Sequence, residues 1–223
     1  MTATATTAPS RQVRGEQRWP MAVAIIVVVG LTAALPSSVR PESRWLLSAI
    51  GLLLIALVIA DPGRINRSSQ LVRVLSRLLM VALLATAILS TTLLIHELVS
   101  GKDLAQSATR LLLVGNAVWI SNNIVFGLLY WEIDGGGSVA RASAPRAHPD
   151  LAFPQHMDPD LAPPGWRPIF VDYLYLGFTN ALAFSPTDVM PLVPWAKIAM
   201  ALQSLISVTI LGLVIARAVN VFS

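Results

Sequence analysis

Five stretches of this chain are too apolar to lie in water: 20–36, 45–60, 75–95, 111–131 and 195–221. Each approaches or reaches the roughly 20 residues that a helix needs to cross the hydrocarbon core of a bilayer. A backbone in lipid has no water to bond, so stretches of this kind must be helical. Composition agrees. The chain is 55% hydrophobic and 13% charged, whereas soluble domains carry about a quarter charged residues. A surplus of 16 Lys and Arg over 12 Asp and Glu fits loop arginines at a membrane surface. No basic patch interleaved with aromatics points to a nucleic-acid partner. The absence of cysteine excludes disulfides, thiolate metal sites and cysteine nucleophiles, and leaves the redox compartment open.

Residues 1–18 form a Thr/Ala-rich and then basic tail carrying Arg11, Arg14 and Arg18. Together with the apolar run that follows and Thr32-Ala33-Ala34, this tail has the shape of a signal peptide. Four further runs make an uncleaved first span the preferred reading. Three spans thus occupy 19–110. Between the fourth and fifth runs lies a different kind of sequence. Residues 132–168 contain Gly135-Gly136-Gly137 and seven prolines, a composition that predicts an irregular loop. The apolar, aromatic segment 169–184 follows, short for a span and stopped by Pro186 and Pro191. Irregular backbone at membrane depth is tolerated only where protein buries it or water lines it. The segment is therefore either a full crossing with a polar exit or a re-entrant helix followed by a polar return.

The order of residues favours the second. Asp172-Tyr173-Leu174-Tyr175, Phe178-Thr179, Ala183-Phe184-Ser185-Pro186-Thr187-Asp188, then Pro191, Trp195 and Lys197 resemble the pore module of the tetrameric potassium-channel superfamily. That family has an aromatic pore helix, a filter reading T-V-G-Y-G-D, a proline three residues after the Asp and a basic residue entering the inner helix. Asp188, Pro191 and Lys197 match these positions without a gap. The segment 198–219, with Gly212 inside and Arg217 near its end, is similar to an inner helix. The resemblance covers 169–221, with 111–131 as outer helix. The glycine triplet and this end also resemble bacterial membrane proteins of no assigned activity.

The resemblance implies an all-α polytopic membrane protein with five transmembrane helices and a re-entrant pore helix between the last two. It further implies a homotetramer in the cell membrane, conducting a monovalent cation without a cofactor. The filter departs from the family pattern. Potassium filters use glycines because alternate residues take φ values that L-residues resist. Here Ala183 replaces the threonine, Phe184 stands at the valine, Ser185 and Thr187 replace the glycines and Pro186 replaces the tyrosine. A fixed proline φ spoils the carbonyl ladder, so potassium selectivity does not follow. Oxygens of Ser185, Thr187 and Asp188 would line a wider, hydrated opening, and Asp rings favour cations generally. Gln203 and Ser207, four apart and on one helix face, would line the inner cavity. A non-conducting scaffold with a pore-like fold, or a small transporter, is the alternative.

Other polar groups read as structural. Asn116 and Asn123 are seven apart and share a face, with Ser121 and Asn122 beside them. That pattern predicts interhelical hydrogen bonds. Arg73 and Arg77 open the third span and read as snorkelling anchors. His96 and Glu97 end that span as an interfacial polar pair. His148, Asp150, His156, Asp158 and Asp160 are metal-ligand types in poorly preorganised sequence, so no metal site is expected. No catalytic motif occurs, and an enzyme is not expected.

Two expectations about orientation disagree. The basic tail and the four arginines at 64, 67, 73 and 77 outnumber Arg40, Arg44, Lys102 and Arg110 on the opposite side, which predicts a cytoplasmic N-terminus. A channel-like pore loop would instead enter from outside, with the N-terminus outside too.

Overall fold

The computed structural model describes residues 16–41, 44–60, 70–100, 107–137, 140–141, 148–182 and 188–222. These are mostly helical: α1 (Trp19–Ala34), α2 (Arg44–Ala60), α3 (Gln70–Ser100), α4 (Ala108–Ile133), the single turn α5 (Pro154–Met157), α6 (Phe170–Leu182) and α7 (Pro194–Phe222). Three of them, α3, α4 and α7, are long and apolar enough to cross a membrane. The helices α1 and α2, 16 and 17 residues long, are apolar but shorter. The chain is therefore built as a membrane protein, and its outward residues agree: Trp45, Leu52, Ile59, Ile198 and Leu205 are all more than half exposed.

Helix α4 is the centre of the bundle, packed against α1, α3, α6 and α7. Every residue from Ser121 to Leu128 is buried, which is why this run mixes asparagines with large apolar side chains instead of showing one greasy face. Its start is capped by Ser107, whose side chain accepts the Arg110 N–H at 3.4 Å. Its end is made by Gly135, Gly136 and Gly137, with φ of 61°, 86° and 98°. Three consecutive left-handed residues are affordable only for glycine.

The two ends of α4 define a cap end, at Asp134, and a far end, at Ser107. Near the cap end, Met21, Leu57, Ser76, Leu79 and Trp131 line one small cavity. At the far end Leu35, Leu94, Leu98 and Leu111 share one apolar cluster. So α1 and α3 start at the cap end, α2 returns to it, and all three fit an up-and-down bundle.

Helices α6 and α7 have a less usual relation. Phe170 at the start of α6 stacks edge-on with Trp131 at 6.1 Å. Phe178, two turns on, stacks with Trp119 at 5.9 Å. Helix α6 thus runs from the cap end inward, antiparallel to α4. Helix α7 does the same, since Gln203 meets Tyr130 while Val214 lies against Gly115. Two consecutive helices that both leave the cap end require the chain between them to come back to it. That return is fixed at its outer end by a two-residue antiparallel pair, β1 (Leu151–Ala152) with β2 (Met190–Pro191). The Leu192 N–H also donates to the Asp150 carbonyl at 2.9 Å.

Several boundaries differ from those read in the sequence. The third span, expected over 75–95, is a helix over Gln70–Ser100 that carries Arg73, Arg77, His96 and Glu97 on its end turns. The expected pore helix 169–184 is described as Phe170–Leu182. The loop 132–168 was expected to be irregular, with little chance of forming a helix; its described residues hold α5, two 3-10 turns and β1. Pro154 sits in the first turn of α5, where a missing N–H costs nothing, and the strand pair depends on residues forty positions away.

Candidate functional site

The α4–α6–α7 contact holds a connected set of buried polar groups. At its centre is Gln203 on α7, about 1% exposed. Its Oε1 accepts from the Tyr130 hydroxyl at 2.7 Å and from Asn180 Nδ2 at 2.8 Å. Its Nε2 donates to Asn123 Oδ1 at 3.0 Å and to the Gly177 carbonyl at 2.7 Å. An amide offers two acceptor sites and two N–H groups, so Gln203 has no capacity left for water or an ion. Asn180 also donates to the Met200 carbonyl at 2.9 Å, and Ser204 donates to the Asn180 carbonyl at 3.1 Å. Asn123 closes the set by donating to the Trp119 carbonyl at 2.9 Å.

This network is possible because α6 lies unusually close to α4. A Cβ on Gly177 would sit 2.8 Å from the Asn123 carbonyl oxygen, and one on Gly127 3.1 Å from the Leu174 Cα. Glycines facing each other let two backbones approach, and they bring Asn180 within reach of α7.

A second network at the cap end fixes where α6 begins. Asp134 Oδ1 accepts the Leu151 N–H at 3.1 Å, and Oδ2 accepts the Tyr173 hydroxyl. Asp150 Oδ2 accepts the Gly135 N–H at 3.1 Å. Arg141 donates to the Trp131 and Asp134 carbonyls at 2.7 and 2.6 Å, pairs with Glu16 at 3.4 Å, and lies 5.0 Å above the Tyr173 ring. Burial pushes the Glu16 carboxyl above the ordinary carboxylate range, against the pull of the Arg141 guanidinium. Outside this network, Phe153, His156 and Trp166 form an aromatic cluster with centroids 5.4–6.1 Å apart. His156 Nδ1 accepts the Phe153 N–H at 3.2 Å. Burial holds the His156 imidazole below its usual pKa, as a ring that must keep one nitrogen unprotonated requires.

The residues singled out in the sequence fall as follows. Ala183, Phe184, Ser185, Pro186 and Thr187 lie outside the described residues, and Asp188 is exposed just before β2. Gln203 and Ser207, expected to line a cavity, both face into the chain and are about 1% exposed. The Ser207 hydroxyl has no hydrogen-bond partner among the described residues. Asn122 donates to the Thr91 hydroxyl at 2.8 Å, an interhelical bond as expected. Asn116 departs from the expected stripe: it is exposed although Asn123, on the same face, is fully buried. The physical reason is that α6, which covers Asn123, ends near the level of Trp119. Among the described residues no group of three His, Asp or Glu side chains is placed to hold a metal.

Tyr130, Asn180, Asp134 and Arg141 were not anticipated, and Tyr173 was noted only as part of the aromatic segment, not as a partner of Asp134. One signal was available: a tyrosine in a buried apolar run needs a hydroxyl partner, and an asparagine among the aromatics of α6 needs several. No protein-family model matches the sequence, and comparison with known proteins and solved structures finds no significant match.

Proposed function

We propose that α4, α6 and α7 form the pore-like module of an oligomeric, multi-pass membrane protein that conducts a small cation passively. In this reading α1 to α4 and α7 are five spans. Helix α6 is a half-crossing, and 183–188 is the filter-like return. The observation that carries it is the shared direction of α6 and α7, which start at one end of α4 although they are consecutive in the chain. A helix followed by a return to the same side is how membrane pores place irregular backbone where ions pass.

The saturated Gln203 amide also supports placing the path outside a single chain. Copies would meet around the uncovered face of α7, where Ile198, Leu202, Leu205 and Val208 are exposed. A path lined by such side chains closes by dewetting, while Asp188, exposed at the mouth, draws cations to it. Purified protein in a planar bilayer, under potassium, sodium and chloride gradients, tests this. Unitary currents are expected, with a reversal potential that moves when Asp188→Asn removes the charge. A silent bilayer containing folded, inserted protein contradicts it.

One observation favours a second reading, a non-conducting scaffold. Gln203 and Ser204 on α7 make their side-chain bonds inside the chain, and the outward face is apolar. That distribution also suits a lipid-facing or partner-facing helix.

A further inference from the structure

The directions of the helices assign each connecting segment to one end of the bundle, and this reopens the question of sidedness. The N-terminal tail precedes α1 at the cap end. Segment 61–69 joins the end of α2 to the start of α3 there, segment 134–168 joins α4 to α6 there, and α7 begins there. The far end receives segments 35–43 and 101–107 and the end of α7. Basic residues divide unequally between them. The tail brings three arginines, the stretch 61–77 four, the loop 134–168 three, and Lys197 opens α7. That is eleven of the sixteen Lys and Arg, leaving Arg40, Arg44, Lys102, Arg110 and Arg217 for the far end.

From this distribution we infer that the cap end is the cytoplasmic face of the protein. Positively charged segments resist translocation, and the bias is read over connecting segments of this length, each below about 60 residues. Acidic residues do not cancel it. Nine of the twelve also belong to the cap end, which leaves the two ends with equal net charge, but insertion responds to Lys and Arg and only weakly to Asp and Glu. Two exposed arginines reinforce the assignment. Arg73 and Arg77 stand one turn apart on α3, among the exposed Leu71, Val74 and Leu78. Long basic side chains in that position snorkel to a headgroup layer, and the anionic lipids they favour are concentrated in the cytoplasmic leaflet.

The assignment stands whether or not the protein conducts. Its consequence for the return segment rests on the pore reading. Residues 183–188 would be entered from the cytosol, opposite to the pore loops of the potassium-channel superfamily that the sequence resembles. Asp188 would then concentrate cytosolic cations, not external ones.

The chain has no cysteine, so single cysteines report sidedness without background. Asp160, exposed in the cap loop, and Ser37, exposed between α1 and α2, are suitable positions. The full chain carrying Ser37→Cys or Asp160→Cys is expressed in a bacterial host, and intact cells are treated with a membrane-impermeant maleimide. The Ser37→Cys chain is expected to react at once. The Asp160→Cys chain is expected to react only after the membrane is permeabilised. The reverse pattern overturns the assignment. Conduction is not read in this experiment, so its outcome is separate from that of the bilayer recording.

Discussion

At the scale of single residues, Gln203 holds the module together. Its amide bridges three helices with four hydrogen bonds in a buried site. Interhelical bonds in membranes average roughly 0.6 kcal/mol each. Gln203→Met should therefore cost about 2 kcal/mol or more, because Tyr130, Asn123 and Asn180 all lose a partner. Equilibrium unfolding in mixed micelles measures this, and Ser204→Ala, which removes one bond, should cost clearly less. The sequence marked Gln203 as a side chain that lipid would not accept. It could not reveal the partners, which lie 23 to 80 positions away in the chain.

His156 supplies a pH dependence at the same scale. Its folded pKa is lowered, so its stabilising contribution is fully present above the ordinary histidine value of about 6.5. That contribution is lost as the pH falls through the depressed folded value. Protonation removes the acceptor that holds the Phe153 N–H. Acidification below the ordinary histidine range, through the depressed folded value, should loosen the cluster with Trp166. The measurement is tryptophan fluorescence, compared with Trp166→Phe to isolate that ring. His156→Phe should abolish the transition, since it keeps the aromatic packing without the titration.

At the scale of elements, the α4–α6 contact is set by Gly127 and Gly177. Gly177→Ala places a methyl within 2.8 Å of a backbone carbonyl that cannot rotate away. It should destabilise by about 1–3 kcal/mol and weaken the Gln203 network with it. Gly115→Ala meets only the Val214 side chain, which can change rotamer, so its effect should be smaller. Paired unfolding curves distinguish the two. The long helices were legible because apolar runs bounded by charge and proline declare themselves. Helix α6 was legible as a short aromatic segment, and its close approach was not, because the sequence does not show which glycine of α4 faces which of α6. The cap was illegible for a related reason. Asp134 and Arg141 lie in loop sequence, and only the fold brings Leu151 and Tyr173 to them. The strand pair β1–β2 spans only two residues on each side, too short for any periodicity to announce it.

At the scale of the whole molecule, the proposed pore predicts that Asp188→Asn shifts ion preference with little loss of fold stability, since Asp188 is exposed. Bilayer recording and thermal unfolding on the same preparation check both halves. Everything at this scale depends on one geometric relation, that α6 and α7 leave the same face and the chain between them returns to it. Single cysteines at Asp160, before α6, and at Leu192, between β2 and α7, test that relation most directly, through labelling by an impermeant maleimide in sealed, oriented vesicles. A re-entrant α6 predicts that both positions react from the same side, whichever side that is. Reaction from opposite sides would make α6 a full crossing, and would contradict the pore-like module.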